Sequence, residues 1–386
     1  MAFRYCILLL ICLSVSPFSW AEKIVPGAEA LPDYLPLLKG KRVALLINQT
    51  SRVGNQLLAD TLLKRGVRLV RIFVPEHGFR GVGDAGVHIE NGKDSATGLD
   101  LVSLYGNNKK PKAEQLKDVD VVIYDLQDVG TRFYTYISTL QYMMEACAEN
   151  GKQLLILDRP NPNGYYVDGP VLDTALRSFV GMQPIPIVYG MTPGEYAGLL
   201  VGERWFKGAE KLRLNVIRCK GWNHHSRYAL PVSPSPNLRN GHAIALYPSL
   251  CLFEGTAISV GRGTSMPFEQ LGHPDLQAAF RYSFIPMPNV GASKPRYSGQ
   301  VCYGVSLSGE KEAAAINVEY LIQFYKAFPN KDAFFNDFFE KLAGTRTLRT
   351  QIRQGISAAA IRESWQPGLA AFKKIRKKYL LYKDFE

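Results

Sequence analysis

Apolar runs of six to eight residues recur along the first half of the chain, with stretches of helical spacing between them. KRVALLIN (41–48), LVRIFV (69–74), VDVVIYDL (119–126), KQLLILD (152–158) and IPIVYG (185–190) read as strands. They are apolar nearly throughout rather than alternating, which predicts burial on both faces and hence parallel pairing under helices. QLLADTLLKRG ends in a glycine where a helix should stop, and TYISTLQYMMEACAENG keeps the same period. Thr192-Pro193-Gly194-Glu195 opens a further helix, with Thr192 as N-cap, Pro193 at the first position and Glu195 closing a capping box. Strand–helix alternation of this kind predicts an α/β fold: a Rossmann-like, doubly wound, mostly parallel sheet.

The pattern changes in the second half. Residues 231–300 are rich in proline, glycine and serine, and then NVEYLIQFYKAF, DAFFNDFFEKLAG and SAAAIRESWQPGLAAFKKIRKKYLLY read as helices. A chain of 386 residues accommodates two domains. The expected organisation is a signal peptide over 1–21, the Rossmann-like domain over 22–240, and a smaller auxiliary C-terminal α+β domain over 241–386. The leader has a positive n-region at Arg4, an apolar core from Ile7 to Val15 and a small-residue cleavage site at Ser19-Trp20-Ala21. Its apolar run is too short to span a bilayer comfortably, so cleavage after Ala21 and a periplasmic or secreted product are expected, with no stable membrane insertion. The net charge of +12 reads as a solvated basic surface, because no basic strip interleaved with aromatics marks a nucleic-acid site. Cleavage leaves Cys147, Cys219, Cys251 and Cys302, with no CxxC spacing; Cys147, in an apolar helical stretch, reads as core.

In open α/β sheets, ligands bind beyond the carboxyl ends of the strands. Polar side chains stand at four such ends. The first has Asn48 and Gln49, and the second has Glu76, His77 and Arg80 in PEHGFRG. The third has Asp125, Gln127, Asp128 and Arg132, and the fourth has Asp158, Arg159, Asn161 and Asn163 in DRPNPNG. Together they predict one polar cleft. LFEGTAISVGRGTSMPFEQLGHP (252–274) adds Glu254, Arg262, Thr264 and Glu269, with Gly261 and Gly263 able to bring backbone N–H groups to an anion. GVGDAG (81–86) has the letters of a dinucleotide loop, but EHGFR separates it from the strand and no helical period follows. There is no P-loop, GxSxG or HExxH, and the spacing of His77, Asp84 and His88 fits no metal motif. No cofactor and no metal are therefore expected, and His224-His225 reads as exposed. Paired acids among amides and guanidinium groups suit glycoside hydrolysis, the amides holding hydroxyls and an arginine holding an acidic substituent.

PEHGFRG, YDLQDVGTRFYTYISTL, LDRPNPNG with VDGP, GMTPGEYA, SPSPNL and FEGTAISVGRGT-x-x-PFEQLGHP resemble, in this order, the NamZ (YbbC-like) exo-β-N-acetylmuramidases, and RKKYLLY resembles that family's C-terminus. The resemblance covers nearly all of the chain beyond the leader. It implies release of N-acetylmuramic acid from the non-reducing ends of peptidoglycan fragments, MurNAc–GlcNAc type saccharides being the partners. Carried over residue by residue, it implies Glu76 as general acid with His77 tuning it, and Glu254 as partner carboxylate with Asp128 as its rival. It also implies Arg80, Arg132 or Arg262 as the binder of the lactyl carboxylate. Arg239 stands where the family tends to read SPNLP or SPNMP, and Val87 where an acidic residue often follows DAG. A carboxylate separation of ~5–5.5 Å would mean retention and ~6.5–9.5 Å inversion, and the 2-acetamido group is a third route. The alternatives are a non-catalytic peptidoglycan-binding protein and a metal-dependent hydrolase of another bond.

Overall fold

A computed structural model gives the fold and describes residues 23–76, 78, 79, 92–312 and 314–386. The leader, His77, Arg80, Asp84, Val87, His88 and the GVGDAG run lie outside the described residues. The first domain is built on seven strands: β1 (Arg42–Ile47), β2 (Arg68–Val74), β3 (Gly92–Lys93), β4 (Asp100–Ser103), β5 (Val121–Asp125), β6 (Gln153–Leu157) and β7 (Arg213–Ile217). Their order is β3-β4-β2-β1-β5-β6-β7, parallel except for the edge strand β3.

Successive side chains feed opposite cores, as the strand period requires. Val43, Leu45 and Ile47 pack with Tyr34 and Leu38 of helix Leu31–Leu38 and with Leu58 and Leu62 of helix Leu58–Lys64. Ala44 and Leu46 face the other way, toward helices Tyr136–Glu149 and Pro193–Gly202. The expected capping box is present: the Thr192 hydroxyl accepts from the Glu195 N–H at 3.2 Å, and the Glu195 carboxylate accepts from the Thr192 N–H at 2.9 Å.

IPIVYG (185–190) is not a sheet strand. It is buried, but Val188 makes only single bridges, to Thr131 and Asp168. Three strands of the sheet escaped the sequence pattern for physical reasons. β3 has only two residues, both exposed, β4 has only four, and the edge strand β7 is half-exposed, so none shows a long apolar run.

The second domain holds a three-stranded antiparallel sheet with Cys302–Ser306 between Gln270–His273 and Tyr282–Phe284, flanked by helices including Glu319–Ala327 and Gln366–Arg376. One continuous core runs from Leu140 through Phe253 and Leu271 to Phe324 and Phe372, so the two halves are packed as a unit. The chain then returns to the first domain. Buried Arg376 donates to the Gly190 carbonyl and grips Asp384 through two hydrogen bonds of 2.8 Å. This tail corrects the expectation for His224, which is fully buried: its ring lies 2.7 Å from the Gly164 carbonyl oxygen and 3.1 Å from the Glu195 carboxylate, against Tyr382 and Phe385. The four cysteines among the described residues, Cys147, Cys219, Cys251 and Cys302, are free and buried. Among the described residues no helix is long and apolar enough to cross a membrane.

Candidate active site

The strand order reverses at β1, which has β2 on one side and β5 on the other. The crevice of a doubly wound sheet opens there, beyond the carboxyl ends. Glu76 stands two residues past β2. Its Oε2 accepts from the Thr135 hydroxyl at 3.0 Å, and the Tyr136 hydroxyl donates to its backbone carbonyl at 3.4 Å. Tyr105, just past β4, also hydrogen-bonds to the Glu76 side chain; burial first, then the Glu76 charge, raises its phenol above the ordinary value.

Glu76, Tyr105 and Thr135 line one wall of a cavity of about 810 Å³, and Glu254, Arg262 and Phe268 of the second domain line another. A chain of edge-to-face rings links the two charged ends: Tyr136–Tyr134 at 4.8 Å, Tyr134–Tyr247 at 6.1 Å and Tyr247–Phe268 at 4.9 Å between centroids. The Arg262 guanidinium sits 4.9 Å from the Phe268 ring centre, and its Nε donates to Glu254 Oε1 at 2.6 Å. Burial opposes the charge of Arg262, but the Glu254 carboxylate outweighs it and holds the pKa raised. The loop carrying Arg262 is locked by its glycines, at φ +77° (Gly261) and +84° (Gly263). A Cβ on either would come within 2.8 Å of a backbone carbonyl oxygen, that of Met266 or Met287.

The structure brings Glu76, Glu254 and Arg262 together but places the other described candidates elsewhere, so the four polar strand ends do not converge on one cleft. Asp125 is buried in an ion pair with Arg159, at 2.5 and 2.9 Å. Asn48 binds the Thr50 N–H and hydroxyl and donates to the Tyr136 hydroxyl, while the Gln127 amide donates to the Asp128 and Pro160 carbonyls. Asp158 accepts from Arg159 N–H, Gly194 N–H, the Thr192 hydroxyl and the Tyr382 hydroxyl. Asn161 donates to Met191, and Asn163 to Val129 and Ile244. Arg132 spends two guanidinium nitrogens on the carbonyls of Pro170, Ile185, Leu342 and Ala343. Asp128 is buried against the Tyr189 hydroxyl and Gly130 N–H, and burial pushes its carboxyl up to about 6. Thr264 ties Gln270 to the Gly261 carbonyl, and Glu269 accepts from Asn240. Gln49 pins Ser233 and Pro234 and lines a smaller cavity of about 410 Å³. The common reason is that backbone groups beyond a strand's last ladder bond are buried under loops and must find polar partners.

Sequence reasoning missed Tyr105 and Thr135. Tyr105 follows β4 as Glu76 follows β2, so recognising that short strand would have found it. Thr135 was hidden in an apparent helix start, RFYTYI.

Such a cleft suits a sugar, whose hydroxyls bond to acids and hydroxyls and whose ring faces pack on aromatics; the scaffold is that of an α/β carbohydrate-handling protein with an auxiliary domain. The family model of the exo-beta-N-acetylmuramidase NamZ N-terminal region matches residues 43–242, and that of the C-terminal region matches residues 245–382. The peptidoglycan beta-N-acetylmuramidase NamZ of Bacillus subtilis is 38% identical over 384 residues, covering 93% of this chain and 92% of that protein. Crystal structures of two DUF1343 family proteins from Bacteroides fragilis share the fold. One is 46% identical with a TM-score of 0.88, covering 94% of this chain and 99% of that one. The other is 31% identical with a TM-score of 0.79, covering 93% and 99%. The chain belongs to the NamZ exo-β-N-acetylmuramidase family.

Proposed function

We propose that this protein is an exo-acting glycoside hydrolase that releases N-acetylmuramic acid from the non-reducing ends of peptidoglycan fragments, saccharides of the MurNAc–GlcNAc type being its substrates. The observation that carries this reading is Glu76: an acid at the carboxyl end of β2, beside the switch point, held by Thr135 and Tyr105 and opening onto a cavity large enough for sugar rings. The family membership and the B. subtilis relative named peptidoglycan beta-N-acetylmuramidase support it. Glu76 acts as general acid, delivering its proton to the glycosidic oxygen as the bond to C1 breaks, and the Thr135 hydroxyl on Oε2 fixes the orientation of the carboxyl group. The leader takes the chain across the membrane and is removed after Ala21, leaving a periplasmic or secreted enzyme. N-terminal sequencing of the exported protein tests that, with Glu22 as the expected first residue.

The activity is tested by incubating the purified mature protein with a chromogenic aryl β-N-acetylmuramide beside the matching N-acetylglucosaminide. Release from the muramide alone is expected. Release from neither, with binding of wall fragments, would leave a non-catalytic binding protein. Loss of release on adding a chelator would point to a metal-dependent hydrolase.

A further inference from the structure

Glu254 and Arg262 face the same cavity as Glu76, but they are engaged with each other. Arg262 Nε donates to Glu254 Oε1 at 2.6 Å. The Glu254 oxygen that accepts from the guanidinium is turned to Arg262 and holds it in place instead of facing a substrate atom. The guanidinium, by contrast, lines the cavity with 24% of its side chain exposed and has donor capacity to spare. Arg262 Nη1 is shielded from solvent and has no hydrogen-bond partner among the described residues. Buried charged donors in native proteins almost always have an acceptor. The Phe268 ring beneath the guanidinium and the locked glycine backbone on either side fix where it points. The other cations of the cavity are less suited. Arg296 spends Nη1 on the Thr256 and Ile258 carbonyls, Lys294 is exposed, and Lys109 sits over the Phe179 ring at 4.8 Å. An anionic oxygen is the natural acceptor for a guanidinium with an unused donor.

We propose that Arg262 and Glu254 form the specificity element of the site: Arg262 binds the carboxylate of the substrate, and Glu254 is the positioning residue that aims it, not the second catalytic carboxylate. This rests on the muramidase reading, in which the lactyl ether carries the carboxylate that distinguishes muramic acid from glucosamine.

Kinetics on the aryl muramide test it, with folding of each variant checked by circular dichroism. Arg262→Met and Glu254→Gln are expected to raise KM about tenfold or more, with kcat kept within about threefold, the pattern of lost binding that is uniform along the reaction. Glu76→Gln is expected to lower kcat by about 10²–10⁴-fold with little change in KM. Glu254→Ala with added azide should yield no glycosyl azide. A fall in kcat for Glu254→Gln that matches Glu76→Gln, or rescue by azide, would overturn the assignment and make Glu254 a catalytic carboxylate.

A second arm does not need turnover. Calorimetric binding of free N-acetylmuramic acid and N-acetylglucosamine should show a preference for the former in the wild type that disappears in Arg262→Met. Equal binding of both sugars by the wild type overturns the proposal. A preference that depends on Arg262 in a protein that turns over no muramide supports it, and overturns the hydrolase reading instead.

Discussion

Replacing Asp128 by Asn distinguishes an acid of the scaffold from an acid of the reaction. Oδ2 of Asp128 accepts from the Tyr189 hydroxyl at 2.5 Å and from the Gly130 N–H at 2.6 Å, while Oδ1 is buried with no direct hydrogen bond of good geometry among the described residues. An asparagine whose carbonyl oxygen replaces Oδ2 keeps both of these hydrogen bonds. Burial pushes the carboxyl from 3.8 up to about 6, against the pull of Tyr189 and the backbone N–H groups. A folded-state pKa raised above the unfolded one means that the fold favours the protonated acid. Its contribution is therefore complete below about pH 4 and is lost as pH rises to about 6, where the fold must hold an ionised buried carboxylate. The gap of about two pH units, at about 1.4 kcal/mol each, amounts to about 3 kcal/mol. Asparagine cannot ionise, so Asp128→Asn should gain on the wild type by about that amount between about pH 4 and pH 7. Urea unfolding of both proteins across that range measures the difference, in which all other titrations cancel. A difference that stays flat with pH would refute the reasoning. A loss of muramide turnover as large as that of Glu76→Gln would return Asp128 to the mechanism.

Three further outcomes are expected. Glu76→Gln should lose about 10²–10⁴-fold in muramide turnover while its urea midpoint stays within reach of the wild type, as fits an acid at a cavity wall rather than in the core. Tyr382→Phe removes the hydroxyl that donates to Asp158 at 2.6 Å and should cost about 1.5–3 kcal/mol in urea unfolding, because the buried carboxylate loses a donor and the tail its anchor. Gly261→Ala forces a side chain into φ +77° against the Gln270 side chain and the Met266 carbonyl oxygen, and about 1–3 kcal/mol of strain should appear as lower stability together with a raised KM for the muramide.

Local pattern reached a good part of this protein. Continuous apolar runs at 41–48, 69–74, 119–126 and 152–158 determined a parallel sheet, because a strand covered on both faces cannot afford a polar side. Thr192-Pro193-Gly194-Glu195 determined a helix start, since its hydrogen bonds close within four residues. The rule that ligands sit beyond carboxyl ends brought Glu76 forward, and the long motifs around it named the family.

The tertiary structure alone decided which of the polar strand-end residues see the cavity. Asp125 and Asp158 have the same chemistry as Glu76, and Arg159 and Asn163 are as polar, yet their side chains turn inward because neighbouring loops and the returning C-terminal tail bury them and leave carbonyls and N–H groups to be bonded. His224 is interior for the same reason, covered by Tyr382 and Phe385, which lie far along the chain. The meeting of Glu76 with the Glu254–Arg262 pair was equally out of reach of local pattern. Periodicity reports the burial of a segment against its own sheet, whereas a cavity between two domains depends on how distant segments fill the remaining space.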